Sequence, residues 1–86
     1  MEFECHITVT EQFSVAAQII AARHNWHYSH IEGEFEPGHY LSRTEADLEQ
    51  LQYTRDTLLH ALDVADPLSA GIRRVKIECV LQDHIY

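Results

Sequence analysis

The sequence has few basic residues, little cysteine and no long apolar run. Six Lys and Arg stand against fourteen Asp and Glu, which gives a formal net charge of −8. So acidic a chain is repelled by other polyanions, and this argues against duplex nucleic acid and against an anionic membrane as partners. No apolar run approaches the ~20 residues of a transmembrane helix, and no secretory signal is evident. We therefore predict a protein of a bacterial-type cytoplasm, and its charge favours a cation or a basic protein surface as partner.

Only two cysteines are present, Cys5 and Cys79, and both lie beside aliphatic residues in predicted strands. As free thiols they would behave as small core side chains. They could form a disulfide only if the first and last strands were neighbours with suitable geometry. The 86 residues form one domain, residues 1–86, able to bury roughly 60–65% of its unfolded surface without a disulfide or a metal. We predict that both thiols are reduced and buried.

The first part of the chain predicts a strand followed by a helix. Apolar and polar residues alternate over residues 3–10, which is the period of a half-buried strand. Thr10 has the side chain of a helix N-cap, and Asn25, which tolerates a left-handed backbone, marks the end of the helix. The helix face predicted to meet the sheet carries Phe13, Ala16, Ala17 and Ile20.

Residues 26–44 are interpreted as a central hairpin, whose turn contains Gly33, Pro37 and Gly38. Its first strand has no evident core face, because Trp26, Tyr28 and His30 alternate with His27, Ser29 and Ile31. In its second strand Tyr40, Ser42 and Thr44 alternate with His39, Leu41 and Arg43.

The last part of the chain predicts a helix followed by a strand. Residues 44–47, Thr-Glu-Ala-Asp, resemble a capping box, and Asp66-Pro67 ends the helix. The helix, residues 45–65, has a core stripe of Leu48, Leu51, Leu58, Leu59 and Leu62. In the final strand, residues 72–82, the predicted inward side chains are Val75, Ile77, Cys79 and Leu81, and the outward ones are Arg74, Lys76, Glu78 and Gln82.

The predicted order is βαββαβ, which is the ferredoxin-like α+β plan. Right-handed crossovers make the first and third strands central and place both helices on one face of the four-stranded antiparallel sheet. The opposite sheet face is then left open.

Four short stretches resemble a family of small, uncharacterised bacterial proteins of about this length. They are His6-Ile7-Thr8-Val9, Trp26-His27 with Ser29, Ile31 and Gly33, Tyr40-Leu41, and Val75-Lys76-Ile77-Glu78. The resemblance implies a ferredoxin-like domain and brings no activity or site residue with it.

Two short histidine motifs resemble those of a class of phosphoesterases. His6-Ile7-Thr8 has the His-x-Thr form of two-histidine phosphoesterases, in which two facing motifs supply acid and base to a phosphate. His27-Tyr28-Ser29 is only a loose second copy. The favoured interpretation is therefore a set of polar, outward-facing side chains on a strand.

The hairpin also carries potential metal ligands, since Glu32, Glu34 and Glu36 lie close in sequence to His30 and His39. Neither EF-hand nor His-Glu-x-x-His spacing is present. The favoured interpretation is a solvated acidic turn that protects an edge strand from aggregation. We predict no cofactor and no metal site, with at most millimolar cation binding.

The sequence is compatible with three functions. The favoured one is a non-enzymatic module that pairs with itself, as a homodimer, or with another protein through aromatic side chains on the open sheet face. The alternatives are a small-ligand binder in the cleft of a dimer and a hydrolase or lyase that uses His6, His27 or His39 as a general base near a bound cation. No catalytic residue is assigned, and the ligand or interface candidates are His6, Thr8, Trp26, His27, Tyr28, Ser29, His30, His39 and Tyr40.

Overall fold

A computed structural model describes residues 1–33, 38–67 and 70–80. The elements are β1 (Glu2–Val9), α1 (Ser14–Arg23), β2 (His27–Ile31), β3 (Gly38–Glu45), α2 (Leu48–Ala65) and β4 (Ile72–Val80). The predicted βαββαβ order is confirmed. In these ranges no helix has both the length and the apolar character needed to cross a membrane.

The four strands form one antiparallel sheet in the order β2-β3-β1-β4, so β1 and β3 are central as predicted. The helices pack on one face of this sheet, α1 against β2 and β3 and α2 against β1 and β3. No described element covers the other face, which we call the open sheet face.

The core lies between the helices and the covered sheet face. Its buried apolar side chains are Cys5, Ile7, Val9, Ala17, Ala21, Trp26, Leu41, Leu51, Leu58 and Leu62. Most of the predicted leucine stripe is confirmed, because three of its five members are fully buried and Leu59 packs against them. Leu48, the first residue of α2, is instead exposed. On α1, Ala16 is exposed and Ala21 is buried in the core.

The predicted N-cap of the first helix is wrong. Phe13 occupies the N-cap position without a side-chain hydrogen bond, and α1 begins at Ser14. The Thr10 amide donates to the carbonyl of Gly71 at 2.8 Å, so Thr10 is tied to the segment before β4. At the other end Asn25 has a φ of 62°, the left-handed conformation that the sequence predicts.

The predicted capping box of the second helix is also displaced. Asp47 is the N-cap, and its carboxylate accepts a hydrogen bond from the Glu49 amide at 3.2 Å. Thr44 instead lies in β3, opposite Glu4 of β1. The strand therefore extends further than its weak alternation indicates. Asp66 is the C-cap of α2, so the predicted helix end is confirmed.

The last strand explains why the predicted burial of both cysteines is only half right. Cys5 is buried and free, whereas Cys79 is free but exposed. β4 is an edge strand, and the helices pack mainly on the other three strands. The inward side of β4 is therefore incompletely covered, and Val75 is 41% exposed. Residues 81 and 82 of the predicted strand lie outside the described residues.

Candidate functional site

Two of the aromatic candidates lie on the covered side of the sheet, Trp26 just before β2 and Tyr28 within it. Trp26 is buried in the core, and Tyr28 packs against it. The prediction that Trp26 and Tyr28 form an interface on the open sheet face is therefore wrong. The sequence does not indicate which side of this strand faces the core. The aromatic rings decide it, because such a ring can bury most of its surface despite its polar atom.

Two histidine candidates lie on the same covered side. His30 is directly opposite His39 on the neighbouring strand, and their rings stack with centroids 4.6 Å apart. His39 is only 5% exposed, and its Nδ1 is 2.7 Å from the Tyr28 hydroxyl oxygen. Among the described residues, neither its Nε2 nor Nε1 of Trp26 has a hydrogen-bond partner. These four candidates form one cluster, separated by the sheet from the other five.

The remaining candidates meet on the open sheet face. His6, Thr8, His27, Ser29 and Tyr40 line one concave cavity of about 430 Å³. Small-molecule sites are commonly clefts of roughly 300–1,000 Å³, so this volume is large enough for a ligand. The other lining residues are Glu4, Ile31, Ser42, Arg74, Lys76 and Glu78.

Strand register arranges the lining in two adjacent rows across the sheet. The first row runs Lys76, His6, Ser42, His27 from β4 to β2. The second row runs Arg74, Thr8, Tyr40, Ser29. The motifs His6-Ile7-Thr8 and His27-Tyr28-Ser29 therefore lie in register on the two sides of β3. Neighbouring strands are about 4.8 Å apart, so the two imidazoles flank a space about two strand spacings wide.

His6 is held by two carboxylates beside the cavity. Its Nε2 lies 3.0 Å from Glu78 Oε1 and 3.4 Å from Glu4 Oε1. Glu4 and Glu78 are directly opposite each other, and Lys76 Nζ lies 3.5 Å from Glu78 Oε2. These groups are partly exposed, so solvent screens their attraction. Their main effect is to fix the His6 ring with Nε2 as the donor.

Tyr40 lies on the open sheet face as predicted, and Gly38 allows its position. A Cβ on Gly38 would overlap the Tyr40 ring, which covers the backbone of that residue. The ring can therefore lie flat along β3. Any larger side chain at residue 38 would displace it.

Several cavity residues were not among the predicted candidates. Ser42, Arg74, Lys76 and Glu78 have the outward parity that alternation assigns, but alternation does not say which strands are neighbours. Only the cross-strand register brings them beside His6. A search for polar residues at matching positions of the four predicted strands could have found them.

The predicted acidic turn is only partly described. Glu34 and Glu36 lie outside the described residues, and Glu32 Oε1 is 3.7 Å from His30 Nε2. Among the residues that the structure describes, no group of three or more His, Cys, Asp or Glu is placed to hold a metal ion. The predicted lack of a tight metal site stays a prediction.

No protein-family model matches the chain, and no curated protein does. Among solved structures, the chain is similar to a protein from Chloroflexus aurantiacus J-10-fl that is described as a proposed antibiotic biosynthesis monooxygenase. The match has a TM-score of 0.60 at 10% sequence identity, and it covers 98% of this chain and 97% of that one. So low an identity establishes the fold alone. The comparison therefore shows that the chain has a ferredoxin-like α+β fold that resembles the one in this protein.

Proposed function

We propose that the protein binds a small molecule on its open sheet face. The observation that carries the proposal is the concave cavity of about 430 Å³, lined by polar side chains from all four strands. Ligand sites combine such a concave shape with a few convergent polar groups. Two imidazoles, several hydroxyls and charged groups of both signs converge here, in contrast to the apolar interior on the other side of the sheet.

The test is a titration of ¹⁵N-labelled protein with three related probes, benzyl alcohol, benzylamine and phenyl phosphate. At least one probe should shift the backbone amides of Thr8, Ser29 and Ser42 in a saturable way. Ser42→Trp should abolish those shifts because its indole ring would fill the cavity. The matched control is Ala16→Trp on the exposed side of α1. If no probe shifts these amides up to about 10 mM, the proposal is wrong.

Two catalytic activities are left aside. The monooxygenase function proposed for the Chloroflexus protein is not carried over, because 10% identity transfers no residue. The histidine hydrolase stays a prediction of the sequence. The structure holds His6 in place, but it assigns no nucleophile.

Self-association through the open sheet face is the second candidate function. The observation that favours it is that opposite charges lie at two points along β4. Arg74 and Glu78 are four residues apart, which is about 13 Å along the strand. A two-fold axis near the middle of the face would place Arg74 of one copy against Glu78 of the other. Light scattering at tens of micromolar should then give about twice the 10.0 kDa of one chain. The mass of a single chain would contradict this candidate.

A further inference from the structure

We propose that the ligand of the open sheet face carries a phosphate group, an inference that rests on the proposed small-molecule function. The two rows that cross the sheet consist of side chains that can donate hydrogen bonds. Arg74 and Lys76 contribute a guanidinium and an ammonium, His27 contributes an imidazole, and the four Ser, Thr and Tyr residues contribute hydroxyls, whereas His6 Nε2 already faces Glu78 at 3.0 Å. The carboxylates of the cavity, Glu4 and Glu78, belong to the next row, from which Glu78 reaches Lys76 Nζ at 3.5 Å.

The cavity holds two carboxylates as well as two cations, so positive charge predominates only at its Arg74 end. The chain has only six Lys and Arg, and two of them lie in adjacent rows of one strand. A phosphate monoester carries close to two negative charges near neutral pH and three acceptor oxygens. It therefore matches two cations and a set of hydroxyl donors better than a neutral or cationic group does. Arg74 can bind two of its oxygens at once, which favours a planar, bidentate contact.

The carboxylates at one end of the cavity exclude the phosphate from that end. Glu4 and Glu78 lie one row beyond Lys76 and His6, and they would repel an anion placed next to them. The phosphate is therefore expected above Arg74 and Thr8 rather than above Glu78. The organic part of the ligand then extends along the cavity toward β2, where Ile31 presents an exposed apolar side chain.

Only the first of the two histidine motifs lies at this position, because the second is on β2, beyond β3. His6 and His27 flank Ser42, and Thr8 and Ser29 flank Tyr40, so each row offers polar side chains on both sides of β3. Thr8 of the first motif can therefore donate to the phosphate, whereas His27 and Ser29 of the second motif can contact the organic part of the ligand. Arg74 would also be used in self-association, so phosphate binding and dimer formation should oppose each other.

The test compares dissociation constants from the same titration. Phenyl phosphate should bind at least tenfold more tightly than benzyl alcohol or benzylamine. Arg74→Gln and Lys76→Gln should each weaken phenyl phosphate binding at least fivefold. The matched control is Arg23→Gln, which removes one positive charge from the exposed last turn of α1 and should change the constant less than twofold.

Glu78→Gln provides a second test with the opposite sign. Removal of this carboxylate frees Lys76 and His6 and lessens repulsion, so phenyl phosphate should bind several-fold more tightly. Weaker binding would contradict the proposal, as would an unchanged constant in Arg74→Gln. If benzyl alcohol or benzylamine shifted the same amides with as low a dissociation constant as phenyl phosphate, the proposed small-molecule site would be supported and its preference for phosphate would be wrong.

Discussion

Two cysteines on adjacent strands should differ sharply in reactivity. Burial raises the pKa of the Cys5 thiol to about 11, an effect that the positive charge of Arg55 only partly opposes. The thiolate is the reactive form, so buried Cys5 should resist alkylation at pH 8, whereas exposed Cys79 should react. Mass spectrometry after iodoacetamide treatment should show one adduct on the folded protein and two after denaturation. Equal and rapid modification of both cysteines would show that Cys5 is accessible.

The hydrogen bond between Tyr28 and His39 should contribute to stability. Tyr28→Phe removes the one hydrogen-bond partner that the described part of the chain gives to the buried His39 imidazole, and the expected cost is about 1–3 kcal/mol in the free energy of unfolding. Urea unfolding measures this value. Tyr53→Phe is the matched control because Tyr53 is 68% exposed, and it should change stability by less than about 0.5 kcal/mol. A similar loss in both variants would mean that the Tyr28 hydroxyl is not specifically needed.

At the scale of elements, α2 should supply much of the stability. Leu58→Ala removes a fully buried side chain and should cost about 2–5 kcal/mol, from a total of about 4–13 kcal/mol expected for this length. Val64→Ala on the same helix is the control, because Val64 is 68% exposed. Thermal unfolding compares the two. A Leu58→Ala midpoint within two degrees of the parent would contradict the packing of this helix on β1 and β3.

The start of α2 offers a test between the sequence-based cap and the observed one. Asp47→Ala removes the acceptor for the Glu49 amide and should cost about 0.5–2 kcal/mol. Thr44→Ala changes a residue in β3 and should leave the helix cap intact. Comparison of their urea midpoints decides between them. A larger loss in Thr44→Ala than in Asp47→Ala would restore the capping box that the sequence predicts.

At the scale of the whole molecule, charge reversal tests the two-fold arrangement. Arg74→Glu and Glu78→Arg should each shift the mass in solution from dimer to monomer, because each places like charges opposite each other across the axis. The double variant exchanges the two charges and should restore the dimer. Light scattering measures all three variants. Dimeric single variants would mean that these residues do not form the interface.

Much of this fold could be predicted because its elements have local signals. The alternation of β1 repeats every two residues, and the leucine stripe of α2 repeats over successive helical turns, so each pattern can be recognised within one short segment. The covered face of β2 could not be predicted, because both of its faces mix aromatic or aliphatic residues with polar ones. The burial of His39 could not be predicted either, because its hydrogen-bond partner Tyr28 lies eleven residues away, on the neighbouring strand. The cavity depends on register among four strands, which no single stretch of sequence encodes.

The pairing of β1 with β4 also determines how the domain would respond to mechanical force. Glu2 is opposite Val80, and the pairing continues toward Val9 and Ile72, so the outer ends of both strands lie side by side. Tension applied at these two ends would open the antiparallel ladder one rung at a time, since its hydrogen bonds run across the strands. Rungs that open in sequence resist far less than rungs sheared together. Placed in a chain under load, this domain would yield first by peeling away β4, which would remove Arg74 and Lys76 from the open sheet face.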